Sequence, residues 1–456
     1  MQPSIAPGRP TTARPAREPA RLLESVPSVA AGGAVVVLLL VVYGLSNLDR
    51  ENLYRHFVWQ GMAWLDGHLT IPYPAPGNDY YNDVMPVLGP AGAETGRGIL
   101  PFPPLPALVL LPFVAAWGLA TDAQLLTAIG AALAAGVAFR MLGELEIRRS
   151  TRVAITLFLG FGTVLWYTAA VGTTWWTAHV VALPLAFGAV AIGLARERVV
   201  GLDPSGGWRR LVDPPLVAAG FLLGLAAAAR MPVLLGASYF LFVGGGSTRR
   251  RVASVAVGAA VPVLALVGYT WAATGHPFNP AYEYLYRQEV DAYPELGYVG
   301  EWSIEDPRYV PKNLAIMLLQ PPNILPACTP ADAARGLFDP DCPLLVPDAV
   351  GMSLLLTSPA WLLVLPAIRR RWGDPVVAGG VVAAGLVALL DLMHFSQGWV
   401  QFGYRFSLDW APFLLPVAAL GLDGLSDRWR RVGYVLIGVS ALVQLWGIVW
   451  RGALGW

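Results

Sequence analysis

The segment SNLDRENLYRHF, residues 46–57, places acidic, basic and imidazole side chains together directly after an apolar run. Asp49 and Glu51 are the acids, and a partly desolvated carboxylate that faces a cleft can act as general base for an acceptor hydroxyl. Arg55 and His56 follow closely and could hold an anion beside that base. The acids could equally only cap a helix, because acids stabilise a helix N-terminus by roughly 0.3–1 kcal/mol. The segment by itself leaves catalysis and capping open.

Two arginines far along the chain could bind a phosphate. Arg230 stands alone between two apolar segments in AAAARMPV, and Arg405 lies in SQGWVQFGYRFSLDW. An arginine at the membrane edge is costly unless it meets an anion, and the guanidinium fork suits a phosphate. Snorkelling toward lipid headgroups is the alternative for both. The first loop also holds reserve candidates for the catalytic acid, which are Asp79, Asp83 and Glu94.

Aromatic side chains accompany these charges and could line a sugar or an isoprenoid. VGTTWWTAH, residues 171–179, carries paired tryptophans, which could equally form a plain aromatic belt at the membrane boundary. The stretch NPAYEYLYRQEVDAYPELGYVGEW is rich in tyrosines and acids that suit sugar stacking and hydroxyl hydrogen bonding. The side chains that we predict to line the substrate are Trp59, Trp175, Trp176, His179, Trp399 and Tyr404.

The composition indicates the class of protein that must position these residues. Of 456 residues, 55% are hydrophobic and only 13% are charged, which is too little charge to cover a soluble protein of this length. Apolar runs of membrane-spanning length recur from residue 30 to residue 450. We therefore predict an all-α polytopic membrane protein. The net charge of +1 gives no case for nucleic-acid binding, and residues 1–27 are expected to form a disordered cytoplasmic tail.

Arginine clusters predict which apolar segments cross the membrane, because short cytoplasmic loops retain arginine. All six clusters become cytoplasmic if residues 103–120 enter and leave on one side, and four prolines make that segment a poor spanning helix. This gives about eleven spans, a cytoplasmic N-terminus and juxtamembrane helices in the first external loop. The alternative is that 103–120 spans and another segment does not. The predicted units are a catalytic module (28–273, with external loop 48–122), an external loop domain (274–352) and C-terminal helices (353–456).

The two cysteines offer an independent indication of the compartment. Cys328 and Cys342 both lie in the predicted external loop 274–352, fourteen residues apart in a proline-rich stretch. Such a pair is typical of a disulfide in an oxidising compartment, although two free thiols are the alternative. No Cys/His grouping has zinc spacing, and the use of a metal stays unknown.

An ordered set of short motifs resembles the GT-C class of membrane glycosyltransferases, above all the bacterial relatives of the protein O-mannosyltransferases and the aminoarabinose transferases. Members share an acidic residue after the first span, then a surface helix that ends in glycine, a Pro-Pro-Leu segment, and basic residues near two later spans. The matching residues here are Glu51 to Tyr54, Asp66-Gly67, Pro103-Pro104-Leu105, Trp117-Gly118, Arg230 and Arg405-Phe406. The sequence departs from the pattern in the spacing of its acids, in the acid-free VGTTWWTAH and at Phe102 in place of lysine.

The resemblance implies an inverting glycosyltransferase of the plasma (inner) membrane and cell envelope. It would move a sugar from a polyprenyl-phosphate donor to a hydroxyl of a glycan, lipid or protein acceptor on the extracytoplasmic side, in contact with membrane lipids. The resemblance implies no certain cofactor, although a divalent metal is compatible with it. Asp49 or Glu51 would be the base, and Arg230, Arg405, Arg55 and His56 would hold the phosphate. A transporter or lipid flippase is the alternative, which would favour broken helices at mid-membrane and internal repeats, and a non-catalytic scaffold is the third hypothesis.

Overall fold

The computed structural model describes residues 27–73, 83–90, 92–199, 211–328 and 334–455, and these form a helical bundle with two loop regions at one end. Asp79 lies outside the described residues. In the first half of the chain the helices are α1 (Ser28–Leu45), α2 (His56–Leu65), α3 (Leu105–Trp117), α4 (Ala123–Leu142), α5 (Arg149–Phe161), α6 (Leu165–Val171), α7 (Thr174–Glu197) and α8 (Pro214–Ala227). The second half holds α9 (Thr248–Thr274), α10 (Ala281–Ala292), α11 (Val310–Leu319), α12 (Leu354–Thr357), α13 (Val364–Arg371), α14 (Pro375–Met393), α15 (Ser407–Asp423) and α16 (Asp427–Val449).

Six helices of the described residues are long and apolar enough to cross a membrane, so the chain is a multi-pass membrane protein. They are α1, α4, α7, α9, α14 and α16. Helices α5 and α6 form a seventh candidate if the pair, bent by 43°, counts as one span. The segments Leu105–Ala120, Pro214–Ala227 and Met231–Leu241 are apolar but shorter. The predicted count of about eleven spans is therefore not confirmed.

Residues 103–120 form a helix that is short for a membrane crossing, as the sequence predicts. Helix α3 has 13 residues, which at 1.5 Å per residue is roughly 20 Å against the ~30 Å of a bilayer core. It packs on α2, where an added Cβ at Gly61 would lie 3.3 Å from Val114. At its start, the backbone N–H of Leu105 donates to the carbonyl of Ala228 at 3.0 Å. This contact joins the first loop to the end of α8.

Glycines allow the bundle helices to approach closely. A Cβ added at Gly258 of α9 would collide with the Val217 carbonyl oxygen and lie 2.8 Å from the backbone nitrogen of Phe221 in α8. Gly220 of α8 makes the reciprocal approach to the Val255 backbone. Small residues at such contacts are typical of membrane helix pairs, because van der Waals packing holds the helices together there. The α8–α9 pair in turn forms one wall of the site described below.

Two loop regions lie at one end of the bundle. The first contains α2, α3 and a three-stranded antiparallel sheet in the order β1-β3-β2, with β1 (Ile71–Pro72), β2 (Met85–Leu88) and β3 (Glu94–Ile99). The second, between α9 and α12, contains α10, α11 and a hairpin of β4 (Asn323–Ile324) and β5 (Leu345–Val346). In it the structure joins Cys328 and Cys342 in a disulfide bond.

Candidate functional site

A cavity of about 1320 Å³ lies where the two loop regions meet the ends of the bundle helices. Its wall includes the first turns of α7, the C-terminal half of α9 and the last turn of α14. Of the predicted cytoplasmic arginines near these helices, those that the structure describes lie at their other ends: Arg196 and Arg198 at the end of α7, Arg249 to Arg251 in the first turn of α9, and Arg369 to Arg371 before α14. The cavity thus lies at the helix ends that the sequence predicts to be extracytoplasmic.

Arg230 lines this cavity but already has an anion. Its Nε donates to Asp409 Oδ2 at 3.1 Å and its Nη2 donates to the same oxygen at 2.7 Å. Asp409 Oδ1 also accepts a hydrogen bond from His179, with 2.8 Å between that oxygen and Nδ1. The second carboxylate near Arg230 is Asp391, 4.0 Å from Nη2. The anion that the sequence requires for Arg230 is thus a side chain of α15, and His179 belongs to this buried network rather than to the cavity wall.

Arg405 lies in the same cavity and has no such partner. It is 7% exposed, forms no ion pair with a carboxylate of the described residues, and its Nε has no hydrogen-bond acceptor among them. Its guanidinium carbon lies 5.3 Å from the centre of the Trp176 ring, which is a cation–π contact with a residue outside the cavity wall. Burial lowers the pKa of Arg405 to about 10, and the like charge of Arg230 adds to the effect. Arg405 is therefore a buried cation in a cavity without an ion-pair partner.

A carboxylate faces the same space at Asp83, one of the reserve candidates. Trp175 Nε1 donates to Asp83 Oδ2 at 2.8 Å, and both residues line the cavity. Burial raises the pKa of Asp83 to about 6, although the Trp175 hydrogen bond and the charge of Arg405 oppose the rise. Asp83 has φ +67°, a left-handed conformation that aspartate tolerates better than most residues. The side chain precedes β2, so the small sheet of the first loop positions it.

A second carboxyl group comes from α10. Glu289 is half-buried on the cavity wall. Burial raises its pKa to about 8, the charge of Asp83 adds to the rise, and Arg405 opposes it. Two carboxyl groups whose pKa values differ in this way can be respectively ionised and protonated at neutral pH, which is a common arrangement in active sites. Nearby on the wall, the rings of Tyr293 and Trp399 meet with centroids 4.7 Å apart.

The predicted catalytic acids Asp49 and Glu51 lie elsewhere. Both are exposed, and neither lines the cavity. Arg50, between them, donates from Nε to Asp122 at 2.6 Å and from Nη1 to the carbonyl of Asn47 at 2.8 Å. These contacts hold the segment on the N-terminal end of α4. The structure therefore does not bring Asp49 or Glu51 together with the two arginines.

The predicted phosphate ligands Arg55 and His56 also point away from the cavity. Arg55 Nη1 donates to the carbonyl of Leu119 at 2.6 Å. His56 Nδ1 lies 2.9 Å from Thr174 Oγ1 in a fully buried hydrogen bond. Helix α2 begins only at His56. Residues 46–55 before it are irregular, and Asn52 and Tyr54 have positive φ angles. Tyr54 is the residue of this segment that reaches the wall.

The predicted substrate-lining residues divide into two groups. Trp175 and Trp399 line the cavity. Trp59, Trp176 and Tyr404 are 0–1% exposed and do not line it, because their side chains pack inside the protein. His179 is equally buried. Within the described residues, no three His, Cys, Asp or Glu side chains are grouped as metal ligands. Glu94, another reserve candidate, is exposed on β3.

Sequence reasoning gave Glu289 no individual role and placed Asp83 behind Asp49 and Glu51. The signal for Glu289 was present only as the acidic, tyrosine-rich stretch before residue 301. The cavity-lining positions on α10 follow helical spacing. They are Tyr282, Leu285, Gln288, Glu289, Asp291 and Ala292. A helical interpretation of that stretch would have predicted one shared face, although not the space which the face borders.

Searches against protein-family models and curated proteins give no match. In overall structure the chain is similar to ArnT from Cupriavidus metallidurans in the apo state, with 17% identity and a TM-score of 0.48 over 89% of this chain and 61% of ArnT. For ArnT bound to undecaprenyl phosphate, the identity is 15% and the TM-score is 0.47, over 88% of this chain and 61% of ArnT. For the oligosaccharyltransferase AglB from Archaeoglobus fulgidus, in complex with an inhibitory peptide and a dolichol-phosphate, the identity is 13% and the TM-score is 0.43, over 92% of this chain and 56% of AglB.

The chain thus spans less than two thirds of the length of these solved proteins. ArnT and AglB are glycosyltransferases of the GT-C class, which the sequence resembles. Because the identities and TM-scores are low, we infer the function from the chain's own cavity.

Proposed function

We propose that the chain is a GT-C type glycosyltransferase that moves a sugar from a polyprenyl phosphate to an acceptor hydroxyl, with inversion, on the extracytoplasmic side. One observation carries the proposal: a buried arginine without an ion pair and an ionisable carboxylate line the same cavity. Arg405 is the arginine, and Asp83 is the carboxylate that replaces Asp49 and Glu51 as candidate base.

Arg405 suits the donor phosphate better than Arg230 does. A buried guanidinium that forms no ion pair is costly until an anion arrives, and its planar fork can grip two phosphate oxygens. Arg230 is already paired with Asp409, so it adds little net charge to the same wall and leaves the phosphate to Arg405. Charge that builds on the leaving phosphate is stabilised by such fixed donors.

The apolar part of the wall suits an isoprenoid chain. It is formed by side chains of α9 and of the 3₁₀ helix Met231–Leu241, which include Met231, Leu234, Val263, Leu266 and Val267. Arg230 immediately precedes this 3₁₀ helix and marks the polar end of that surface. A lipid-linked phosphate would thus place its tail among these residues and its headgroup near the two arginines.

In the proposed step Asp83 removes the proton from the acceptor hydroxyl. The acceptor oxygen forms a bond to the anomeric carbon, and the bond from that carbon to the phosphate oxygen breaks. The electron pair leaves with the polyprenyl phosphate, whose added negative charge Arg405 stabilises. Asp83 then releases the proton to solvent. A pKa of about 6 leaves Asp83 largely ionised at neutral pH while keeping it basic enough to accept the proton.

The test is turnover of polyprenyl-phosphate sugars by the purified full chain in lipid nanodiscs. We expect Asp83→Asn and Arg405→Gln each to reduce turnover by roughly 10²-fold or more, as general-base and oxyanion groups do. Asp49→Asn and Glu51→Gln, at exposed positions off the cavity, and Arg287→Gln, on the outer side of α10, serve as matched controls that retain turnover.

Full turnover in Asp83→Asn, or its loss in Asp49→Asn or Glu51→Gln alone, would contradict this assignment of the base. Movement of labelled polyprenyl phosphate across the membrane by the wild-type chain, with no sugar transfer from any donor, would instead indicate the lipid flippase.

A further inference from the structure

We propose that the acceptor of this transfer is a saccharide without acidic groups, seated against the Tyr293–Trp399 ring pair and the face of α10 that carries Glu289. This inference rests on the proposed function and names the class of its second substrate. It is carried by the charges and rings on the cavity wall, none of which the transfer step itself uses apart from Asp83 and Arg405.

The charges on the wall disfavour an anionic acceptor. Among the described residues that line the cavity, two are arginines, while five carry carboxyl groups, namely Asp83, Glu289, Asp291, Glu305 and Asp391. Arg230 is neutralised by Asp409, which lies behind the wall, and Arg405 is assigned to the donor phosphate. The other basic residue on the wall, His394, already lies against Glu305, with 3.3 Å between Nδ1 and Oε1. An acceptor with phosphate, sulfate or carboxylate groups would therefore enter beside acids without an unassigned cation to pair with it, which costs free energy.

The aromatic pair provides the surface that a sugar ring needs. Tyr293 ends α10 and Trp399 lies in the loop before α15, and both rings are half-buried, so each keeps a face open to the cavity. The two ring planes are tilted by 53°, so the rings meet in a corner rather than in a flat stack. An apolar sugar face can bury against such rings while its hydroxyls remain free for hydrogen bonds.

Polar groups of α10 line the wall near this corner. Gln288 and Glu289 are adjacent on the cavity-facing side of the helix, and a protonated carboxyl and an amide each both donate and accept hydrogen bonds, as a sugar hydroxyl requires. The charged and titratable groups that act on Glu289 are Asp83 of the first loop, Arg405 before α15 and Tyr298 after α10. Arg287, the residue before Gln288, is held away from the cavity by Glu283 at 2.8 Å.

The experiment measures saccharide binding to the full chain in nanodiscs without donor. The probes are a panel of neutral oligosaccharides, the same oligosaccharides on a short lipid, and sulfated forms of both. We expect at least one neutral probe to bind at least tenfold more tightly than its sulfated form. Free and lipid-linked neutral probes that bind equally indicate a glycan acceptor, and preference for the lipid-linked form indicates a glycolipid; both support the inference.

Variants locate the site. Trp399→Ala and Tyr293→Ala should weaken the neutral probe at least tenfold, while Trp399→Phe should restore much of the affinity and shows that the loop still folds. Glu289→Arg should reduce or reverse the preference against the sulfated probe. Glu301→Gln, at an exposed position off the cavity wall, is the matched control and should change neither affinity.

Tighter binding of the sulfated probes, saturable binding of no neutral probe, or an unchanged affinity in Trp399→Ala would overturn the inference. Binding of polyprenyl phosphate itself, compared between wild type and Arg405→Gln, separates the two proposals. If that binding depends on Arg405 while sulfated glycans are preferred, only the acceptor class is wrong. If neutral glycans bind at Trp399 but polyprenyl phosphate does not bind, the glycosyltransferase proposal is wrong and the saccharide site stands.

Discussion

Asp409 binds Arg230 through two guanidinium nitrogens, Nε at 3.1 Å and Nη2 at 2.7 Å, and this pair makes the two arginines of the cavity unlike each other. Arg230 belongs to a satisfied ion pair between the end of α8 and the start of α15. Arg405, one turn before Asp409 in sequence, has no carboxylate partner among the described residues. The same type of side chain therefore supports the fold in one case and is available to a ligand in the other.

This difference predicts opposite effects of one substitution. Arg230→Gln leaves the buried Asp409 without its cation, which should destabilise the chain by about 3 kcal/mol. Arg405→Gln removes an unpaired buried charge, so the temperature of thermal unfolding should stay unchanged or rise slightly. The same substitution should weaken polyprenyl-phosphate binding by roughly 10- to 100-fold. Thermal unfolding in nanodiscs and lipid-phosphate binding check the two results. An equal loss of stability in both variants would show that Arg405 is structural.

The pKa of Asp83 predicts an acidic limit of activity. Because burial raises the pKa of this carboxyl to about 6, the ionised base is lost as the pH falls through 6. The kcat/KM for the acceptor should therefore fall tenfold for each pH unit well below 6 and be flat near neutral pH. A pH–rate profile of the wild type checks this. An acidic limb centred near 4, the ordinary range of an aspartate, would contradict Asp83 as the base.

Glu289 predicts a separate alkaline effect on acceptor binding. Burial and the charge of Asp83 raise the pKa of this carboxyl to about 8, so Glu289 is protonated at pH 7 and ionises as the pH rises through 8. The KM for a neutral acceptor should then rise, because the proton that donates to a sugar hydroxyl is lost. In Glu289→Gln, which keeps a donor at every pH, the rise should be absent. Glu301→Gln, exposed and off the cavity wall, should keep the rise, and the KM for the donor should not change over this pH range in the wild type or in either variant.

The close contact between α8 and α9 predicts a stability effect away from the cavity polar groups. Gly258→Val places a side chain against the Val217 carbonyl and the Phe221 backbone, and overpacking of this kind costs about 1–3 kcal/mol. Gly268→Val on the same helix is the matched control, since an added Cβ there meets no atom within 4 Å. The unfolding temperature should fall only in Gly258→Val. Equal unfolding temperatures in the two variants would show that the helices can separate to accept the side chain.

Local patterns in the sequence were sufficient for the class of protein, for the pairing of the two cysteines and for the two arginines as site candidates. Hydropathy, charge distribution and the spacing of cysteines act over short stretches, so they can be interpreted without knowing what lies opposite them. Asp83 was visible among the reserve candidates for the same reason, since it is an acid in an external loop.

Which acid meets the arginines was decided only by tertiary structure. The hydrogen bond from Trp175 to Asp83 joins residues 92 apart, and the pair of Arg230 with Asp409 joins residues 179 apart. Asp49 and Glu51 lie off the cavity because Arg50, between them, binds Asp122, 72 residues away. Such contacts depend on how loops from separate helices pack together, and the energy of a buried charge depends on every group around it. Sequence spacing therefore identified the charges, and packing alone selected which of them share one cavity.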